Sequence, residues 1–200
     1  MAYELYLFLF TFALYMLHTM NWTNAIQPEL YFITTTVVDW IDIFTRPKYK
    51  HIVLDSLAYC QQHKGLRIYA WVLMSNHLHM IVSAEGELSV ADIMRVFKKH
   101  TSKMVIKELM DDPQESRREW MIDRFGFAAA NSRKATCYRL WQEGYHPELL
   151  CSDEFFLQKL GYIHNNPVAQ EIVSRPEDYL YSSAMDYAGE KGLIEVIVAG

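Results

Sequence analysis

Apolar and polar residues follow one another along this chain with spacings that predict a series of strands and helices. Residues 31–38 are rich in β-branched and aromatic side chains, which favour a strand. Residues 47–64 repeat apolar positions with a helical period, and Gly65 is expected to end that helix. Residues 67–83 are apolar almost throughout, apart from a break at Ser75 and Asn76, which predicts two buried strands joined by a short turn.

The middle of the chain continues with a long amphipathic segment. Ser89 is a good cap for a helix over residues 90–110, whose apolar positions leave the lysines mainly on the other faces. Residues 111–135 are predicted to be irregular or weakly helical, with Phe125, Gly126 and Phe127 as a loop.

The last third predicts one more strand and one more helix. The strand is expected within residues 138–150, interrupted by a glycine and a proline. Ser152 or Asp153 caps the helix, which should end near Asn166 because the residue before Pro167 disfavours helical backbone. The order strand, helix, strand, strand, helix, strand, helix predicts an α+β domain with a split βαβ pattern.

We assign this domain to residues 25–200 and treat residues 1–24 as an apolar extension. Residues 5–17 are too short for a membrane span and lack the basic start of a signal peptide. Three explanations stay open: an upstream start codon with Met20 as the functional start, an extra packed helix, or a membrane or targeting segment.

Composition and charge limit the kinds of binding partner and the cellular compartment that the sequence indicates. The formal charge of -5 excludes a generally basic nucleic-acid-binding protein, so binding of nucleic acid would need a local patch. Such a patch occurs on the second predicted helix, and its members are Arg95, Lys98, Lys99 and Lys103. The three cysteines are widely spaced without a CxxC pair, which indicates a reducing cytoplasm and neither a disulfide framework nor a thiolate zinc site.

The candidate chemistry centres on two histidines in the second strand of the predicted hairpin. Side chains two residues apart in a strand point to the same face, so His77 and His79 project together and can grip a divalent metal. On the last helix, Tyr162 and Asn166 are one turn apart, and together they offer a phenolic hydroxyl and an amide oxygen. A tyrosine beside a metal-bound phosphodiester could attack phosphorus and form a covalent intermediate.

Each of these residues also has an ordinary explanation. A lone pair of histidines on a strand is more often structural, and a tyrosine on an amphipathic helix is more often part of the core or its rim. We expect no catalytic role for His164, a turn position for His146 and a core position for Trp141, while Tyr145 is a candidate for stacking on bases.

The two motifs together resemble those of a known family. Residues 71–79, which contain His77 and His79 around Leu78, resemble the HUH motif of single-tyrosine transposases, and residues 162–168 resemble the tyrosine helix of the REP-associated tyrosine transposase branch. Residues 97–103, 140–146 and 176–184 also fit that branch, so that the similarity extends over residues 29–195. Ser75 stands where many members have proline, which puts little in doubt.

The resemblance implies a ferredoxin-like (RRM-like) fold, in which an antiparallel four-stranded sheet has helices on one face and an added C-terminal helix with the catalytic tyrosine. Such enzymes cleave and rejoin single-stranded DNA next to hairpins of palindromic repeats, without a small-molecule cofactor. By resemblance, His77, His79 and Asn166 hold Mg²⁺ or Mn²⁺. Tyr162 forms a 5′-phosphotyrosine and leaves a free 3′-hydroxyl. Family members act as monomers or homodimers, and a membrane partner is not expected.

Two other functions remain open on the sequence. A ferredoxin-like module could bind structured DNA or RNA without cleavage, in which case binding would survive loss of His77. A metal-dependent hydrolase could use water as its nucleophile, in which case cleavage would not depend on Tyr162.

Overall fold

The computed structural model describes residues 29–132 and 137–199. The apolar extension 1–24, including Met20, lies outside these residues, so its three explanations stay predictions. Within them, four strands form one antiparallel sheet in the order β2-β3-β1-β4. The strands are β1 (Tyr31–Thr36), β2 (Leu66–Leu73), β3 (His77–Ala84) and β4 (Glu148–Leu149). Together with the helices, this order confirms the predicted α+β, ferredoxin-like fold.

Five α-helices accompany the sheet in the described part of the chain. They are α1 (Pro47–Lys64), α2 (Val90–Asp111), α3 (Arg118–Ala130), α4 (Asp153–Ala169) and the short α5 (Ala184–Tyr187). Gly65 ends α1 with a positive φ of 73°, and Ser89 caps α2 by accepting a hydrogen bond from the backbone of Asp92, both as predicted. No helix in the described ranges is both long and apolar enough to cross a membrane.

The sheet is buried on both faces, and each face has its own apolar core. Leu73, Leu78 and Met80 point to the face where α1 and α2 pack. The alternate residues Val72 and Ile81 point to the opposite face and pack with α4. The histidine positions of β3 alternate with Leu78 and Met80, so His77 and His79 lie on the α4 face.

The C-terminal segment covers the free edge of β2. The backbone N–H of Leu73 donates to Tyr181, that of Ser183 donates to Trp71, and that of Ile197 donates to Ile68. Because an uncovered edge strand is a template for pairing with other chains, this segment protects the edge of the sheet.

Two predictions about the helices are wrong. Residues 125–127 do not form a loop, because Met121, Phe125 and Ala129 recur with helical spacing and are all buried within α3. The last helix does not end near Asn166 but continues through Pro167 to Ala169. Pro167 lacks one N–H in the final turn, but it and Asn166 are buried, and the helix closes when the N–H of Gln170 donates to the carbonyl of Asn166.

The predicted fourth strand is much shorter than residues 138–150. Only Glu148 and Leu149 pair with β1, and Trp141 forms an isolated bridge with Val37. Gly144 has a φ of 101°, which takes the backbone out of the extended conformation between these two pairings.

Two glycines should respond in opposite directions to substitution by alanine. At Gly126 an added methyl group would make ordinary contact with Tyr138 at 3.7 Å, so Gly126→Ala should stabilise the protein by about 0.5–1 kcal/mol through helix propensity. At Gly65 the same group would lie 1.9 Å from the carbonyl oxygen of Glu85, and φ is positive, so Gly65→Ala should destabilise by more than about 1 kcal/mol. Urea unfolding of both variants measures this, and equal effects of the same sign would contradict the assigned backbone conformations.

Candidate active site

The histidine pair is positioned by the pairing of β3 with β1. His77 pairs with Thr36 and His79 with Thr34, so all four side chains share the face that α4 covers. The two imidazole rings are both buried, and their centroids are 4.7 Å apart. The alternation along β3 therefore brings the two histidines together as predicted.

Helix α4 brings the two other predicted residues to this pair. The hydroxyl oxygen of Tyr162 lies 3.4 Å from Nε2 of His79, and the Tyr162 side chain is half exposed to solvent. Asn166, one turn further along the helix, is buried, and it opposes the lowering of the His77 pKa, which places it beside that ring. His77, His79, Tyr162 and Asn166 thus meet in one place, although 83 residues separate His79 from Tyr162.

Asn76 determines which ring nitrogen of His77 carries the proton. The Asn76 amide nitrogen donates to the carbonyl of Trp40 at 3.1 Å and to Asp42 Oδ1 at 2.9 Å. Its carbonyl oxygen therefore faces His77, where it lies 2.7 Å from Nδ1 and can only accept. Nδ1 of His77 must carry the proton, which leaves the lone pair on Nε2.

His79 is oriented by two residues of β1. Thr34 Oγ1 lies 2.8 Å from Nδ1 of His79, and the Phe32 ring stacks on the imidazole with centroids 5.5 Å apart. These contacts turn Nε2 of His79 towards Tyr162. Both histidines are therefore held at Nδ1 and present Nε2 to α4, which is the arrangement that a histidine ligand usually has.

Burial keeps both imidazoles neutral. It lowers the pKa of His77, although the contact with Asn166 and the charge of Asp42 oppose the change. Burial, the neighbouring His77 and the positive charge of Lys159 lower the pKa of His79 to about 3. Only neutral imidazole can bind a metal ion, so the environment favours the ligand form at neutral pH.

The candidate metal ligands at this place are of two chemical kinds, and they leave coordination positions free. Residues 29–132 and 137–199 contain no cluster of three His, Cys, Asp or Glu side chains. The candidate donors here are the two imidazole Nε2 atoms and the carboxamide of Asn166, whose oxygen accepts a hydrogen bond from Gln170 at 3.4 Å. Imidazole nitrogens and oxygen donors together suit a divalent cation that keeps free positions for further oxygen ligands. An open pocket of about 430 Å³ lies along α4 beside Tyr162 and Asn166, lined also by Gly161 and Gln170.

The predicted basic patch lies elsewhere. Arg95, Lys98, Lys99 and Lys103 are on α2, which packs on the sheet face opposite the histidines. Lys99 and Lys103 are exposed, Arg95 pairs with Asp92, and Lys98 donates to the carbonyls of Gln142 and Gly144. The structure therefore does not bring these four residues to the histidine pair.

His164 and Trp141 make contacts within the fold, whereas His146 and Tyr145 lie at the surface. His164 lies 2.9 Å from Ser183 Oγ and stacks edge-on against Tyr187, away from the histidine pair, and burial lowers its pKa to about 4. Trp141 is buried and donates from its indole to Thr101, which confirms its core position. His146 is exposed in the irregular segment before β4, and Tyr145 is partly exposed there.

Several residues around the site were not found from the sequence. Thr34 and Asn76 hold the two imidazoles, and Trp40 lies edge-on to His77 with ring centroids 6.1 Å apart. Lys159, one turn before Tyr162, places its ammonium 4.2 Å from the centre of the Phe32 ring and pairs with Glu148. The sequence did contain a signal for Thr34, since a strand residue that pairs with a histidine must share its face. It contained no signal for Trp40.

Comparison with known proteins agrees with these observations. The fold and the HxH–Tyr arrangement define an α+β protein with a candidate phosphodiester-processing site. The family described as "Transposase IS200 like" matches residues 40–136. This match confirms the resemblance that was stated from the sequence.

A solved structure, described as the REP-associated tyrosine transposase bound to a REP hairpin, has a similar fold. Its TM-score is 0.53 at 17% sequence identity, and the match covers 89% of this chain and 91% of the other. At this identity the likeness concerns the fold. A comparison with curated proteins gives no match.

The protonation of His79 is directly measurable. With a pKa of about 3, His79 should stay neutral at pH 5, whereas a histidine in an unfolded chain gains a proton near pH 6.5. The unfolded state then binds more protons between pH 6.5 and 3, so the stability that His79 contributes falls as the pH drops through that window. Imidazole ¹⁵N spectra recorded against pH, assigned with a His79→Asn variant, test this. A midpoint near pH 6.5 would contradict the buried, neutral environment.

Proposed function

We propose that this protein is a DNA transposase that cleaves and rejoins single-stranded DNA next to hairpins through a covalent link to Tyr162. The observation that carries this proposal is the position of the Tyr162 hydroxyl, half exposed and 3.4 Å from His79 at the end of a buried histidine pair. The family match to IS200-like transposases supports a role in DNA transposition. A water-dependent hydrolase would have no need of a tyrosine hydroxyl at this place.

The hairpin as substrate is proposed from the structural neighbour. That protein is described as bound to a REP hairpin, and its fold matches nearly the whole of this chain. We infer that this chain also binds DNA in which an unpaired segment adjoins a hairpin stem. An unpaired segment would let the scissile phosphate reach the half-exposed Tyr162 hydroxyl beside His79.

Nε2 of His77, Nε2 of His79 and the carboxamide oxygen of Asn166 are the atoms that would hold a divalent cation, Mg²⁺ or Mn²⁺. When bound, such a cation acts as a Lewis acid that withdraws charge from the scissile phosphodiester. The protein contributes the orientation of these atoms, because Asn76 and Thr34 fix the two rings at Nδ1. The burial of the histidines keeps them unprotonated at neutral pH.

Tyr162 then carries the covalent chemistry. Its oxygen attacks phosphorus and forms a new O–P bond while its proton passes to solvent, and the 3′-oxygen leaves with the electron pair of the broken O–P bond and takes a proton from solvent to become a 3′-hydroxyl. The DNA is now attached by a 5′-phosphotyrosine. In the reverse step, a 3′-hydroxyl attacks the same phosphorus and the Tyr162 oxygen leaves, so that strands are rejoined without an external energy source.

The exposed lysines of α2 are proposed as a second contact, to the phosphates of the hairpin stem. They lie on the opposite side of the sheet from Tyr162, so they would hold paired DNA at a distance from the cleaved strand. Phosphate contacts of this kind fix the position of the duplex without reading its sequence.

Tyr162→Phe should abolish the covalent intermediate and leave DNA binding intact, because it removes only the attacking oxygen. The assay mixes the protein with Mn²⁺ and labelled single-stranded oligonucleotides from the DNA flanking its gene, and separates the products on a denaturing gel. The unmodified protein should give a shifted band that EDTA prevents. The variant should reduce that band by at least about 10³-fold.

Tyr59→Phe is the matched control, since Tyr59 is equally exposed but lies on α1, on the other side of the sheet. It should give the same band as the unmodified protein. Metal-dependent cleavage that survives in Tyr162→Phe would instead indicate a hydrolase, and tight binding with no cleavage by either protein would indicate a binding module.

The role of the α2 lysines predicts a change in salt dependence. Each lost phosphate contact lowers the slope of log affinity against log salt concentration by about 0.9. The double variant Lys99→Gln with Lys103→Gln should therefore lower the slope for a hairpin by about 2, measured by fluorescence anisotropy at several salt concentrations. Lys191→Gln is the control for loss of charge alone. An unchanged slope in the double variant would exclude α2 as the stem contact.

A further inference from the structure

The turn between β1 and α1 contains a costly backbone conformation. Asp39 and Trp40 follow one another with φ values of 53° and 56°, in the left-handed region. Residues other than glycine, asparagine and aspartate rarely adopt this region, and a bulky residue such as tryptophan is an outlier there. Such strain persists only where surrounding contacts enforce it, and it is frequent at functional sites.

The contacts that enforce the turn are present on both sides. Asp39 accepts two hydrogen bonds from the Arg124 guanidinium, at 2.9 and 2.5 Å. The carbonyl of Trp40 accepts from Asn76 at 3.1 Å, and the N–H of Val38 donates to the carbonyl of Leu140 at 2.9 Å. Since Val38 itself is buried, the turn is anchored in the core.

The side chain of Trp40, which this turn carries, gains little apolar burial from the fold. Trp40 is 60% exposed, although an indole is among the largest apolar side chains and normally packs against others. Asn76 connects the turn to the active site, because the same amide that holds the Trp40 carbonyl also fixes His77. The strained turn therefore places an exposed indole in a fixed relation to the histidine pair.

Four rings form a row across the site. Trp40 is 6.1 Å from His77, His77 is 4.7 Å from His79, and His79 is 5.1 Å from Tyr162, measured between ring centroids. Trp40 lies at the end of the row opposite Tyr162. A strand whose scissile phosphate lies at the histidines and Tyr162 would carry its neighbouring bases towards Trp40.

We propose that Trp40 is a stacking platform for an unpaired base of the DNA strand that Tyr162 cleaves. An indole face stacks on any base, and aromatic platforms beside cationic groups are the usual means of binding single strands. Two guanidinium groups border the turn, and both are ion-paired: Arg124 with Asp39, and Arg117, which also donates to the carbonyl of Asp42, with Glu115. The carboxylates around the turn are therefore all engaged, with Asp42 held by Ser75 and Asn76.

Paired DNA is not the occupant that this geometry favours. The bases of a duplex are already stacked on one another, so their faces are not available to a single protruding indole. The proposal rests on the proposed function for the identity of the strand, but its binding step needs neither metal nor cleavage.

The test compares Trp40→Gly, Trp40→Ala and Trp40→Phe, with Tyr59→Ala as the control for loss of an exposed aromatic side chain. The probes are a synthetic hairpin with blunt ends and the same hairpin with a single-stranded oligothymidine extension of about ten nucleotides. Affinities are measured by fluorescence anisotropy in EDTA. The extension should increase the affinity of the unmodified protein, and Trp40→Ala and Trp40→Gly should lose about 5- to 100-fold for the extended probe only. Trp40→Phe should retain part of the affinity that the extension adds, and Tyr59→Ala should retain all of it.

Thermal unfolding separates binding from structure. Glycine adopts a φ of 56° without strain, so Trp40→Gly should have a melting temperature equal to or above that of the unmodified protein. A lowered melting temperature, or equal losses for both probes, would show that Trp40 supports the fold and would overturn the proposal. So would unchanged affinity for the extended probe in Trp40→Ala. The Tyr162 adduct assay decides the proposed function separately, because it reports on a covalent bond and these measurements do not.

Discussion

The packing of α4 on the sheet is the contact on which the rest of the site depends. Phe156 and Ile163 of the helix are buried against Val72 and Ile81, on the sheet face opposite α1 and α2. Burial of two such side chains contributes roughly 3–6 kcal/mol, which is enough to hold a helix in one orientation. Ile163 adjoins Tyr162 in sequence, so fixing Ile163 in the core sets the Tyr162 hydroxyl at the rim beside His79.

A second constraint acts on the imidazoles themselves. Two buried histidines can share one face only if both stay neutral and each polar nitrogen has a partner. Thr34 and Asn76 supply these partners at Nδ1, and Nε2 of each ring is left facing α4. The turn before α1 takes part in this arrangement, because Asp42 and the Trp40 carbonyl hold the Asn76 amide. The sheet, the helix and the turn therefore define one site, although they are distant in sequence.

Much of this could be predicted from the sequence because local rules apply to it. Alternation along β3 was sufficient to place His77 and His79 on one face, and helical spacing was sufficient to place Tyr162 and Asn166 together. Predictions from local sequence were wrong where the burial of neighbouring side chains overrides the conformational preference of a residue. The glycine at position 126 is helical because its neighbour Phe125 is buried, and α4 continues through Pro167 because that residue and Asn166 are buried. Asn76 and Trp40 could not be assigned, since their positions depend on contacts between segments more than 30 residues apart.

The central claim is that the sheet face and α4 form one cation site next to Tyr162, and the most direct measurement of it is anomalous X-ray diffraction from crystals soaked in Mn²⁺. The account predicts a manganese peak whose nearest protein atoms are Nε2 of His77, Nε2 of His79 and the carboxamide oxygen of Asn166. The same peak should disappear in crystals of His79→Ala. Strong manganese peaks elsewhere in the molecule, with none between these three residues, would contradict the account.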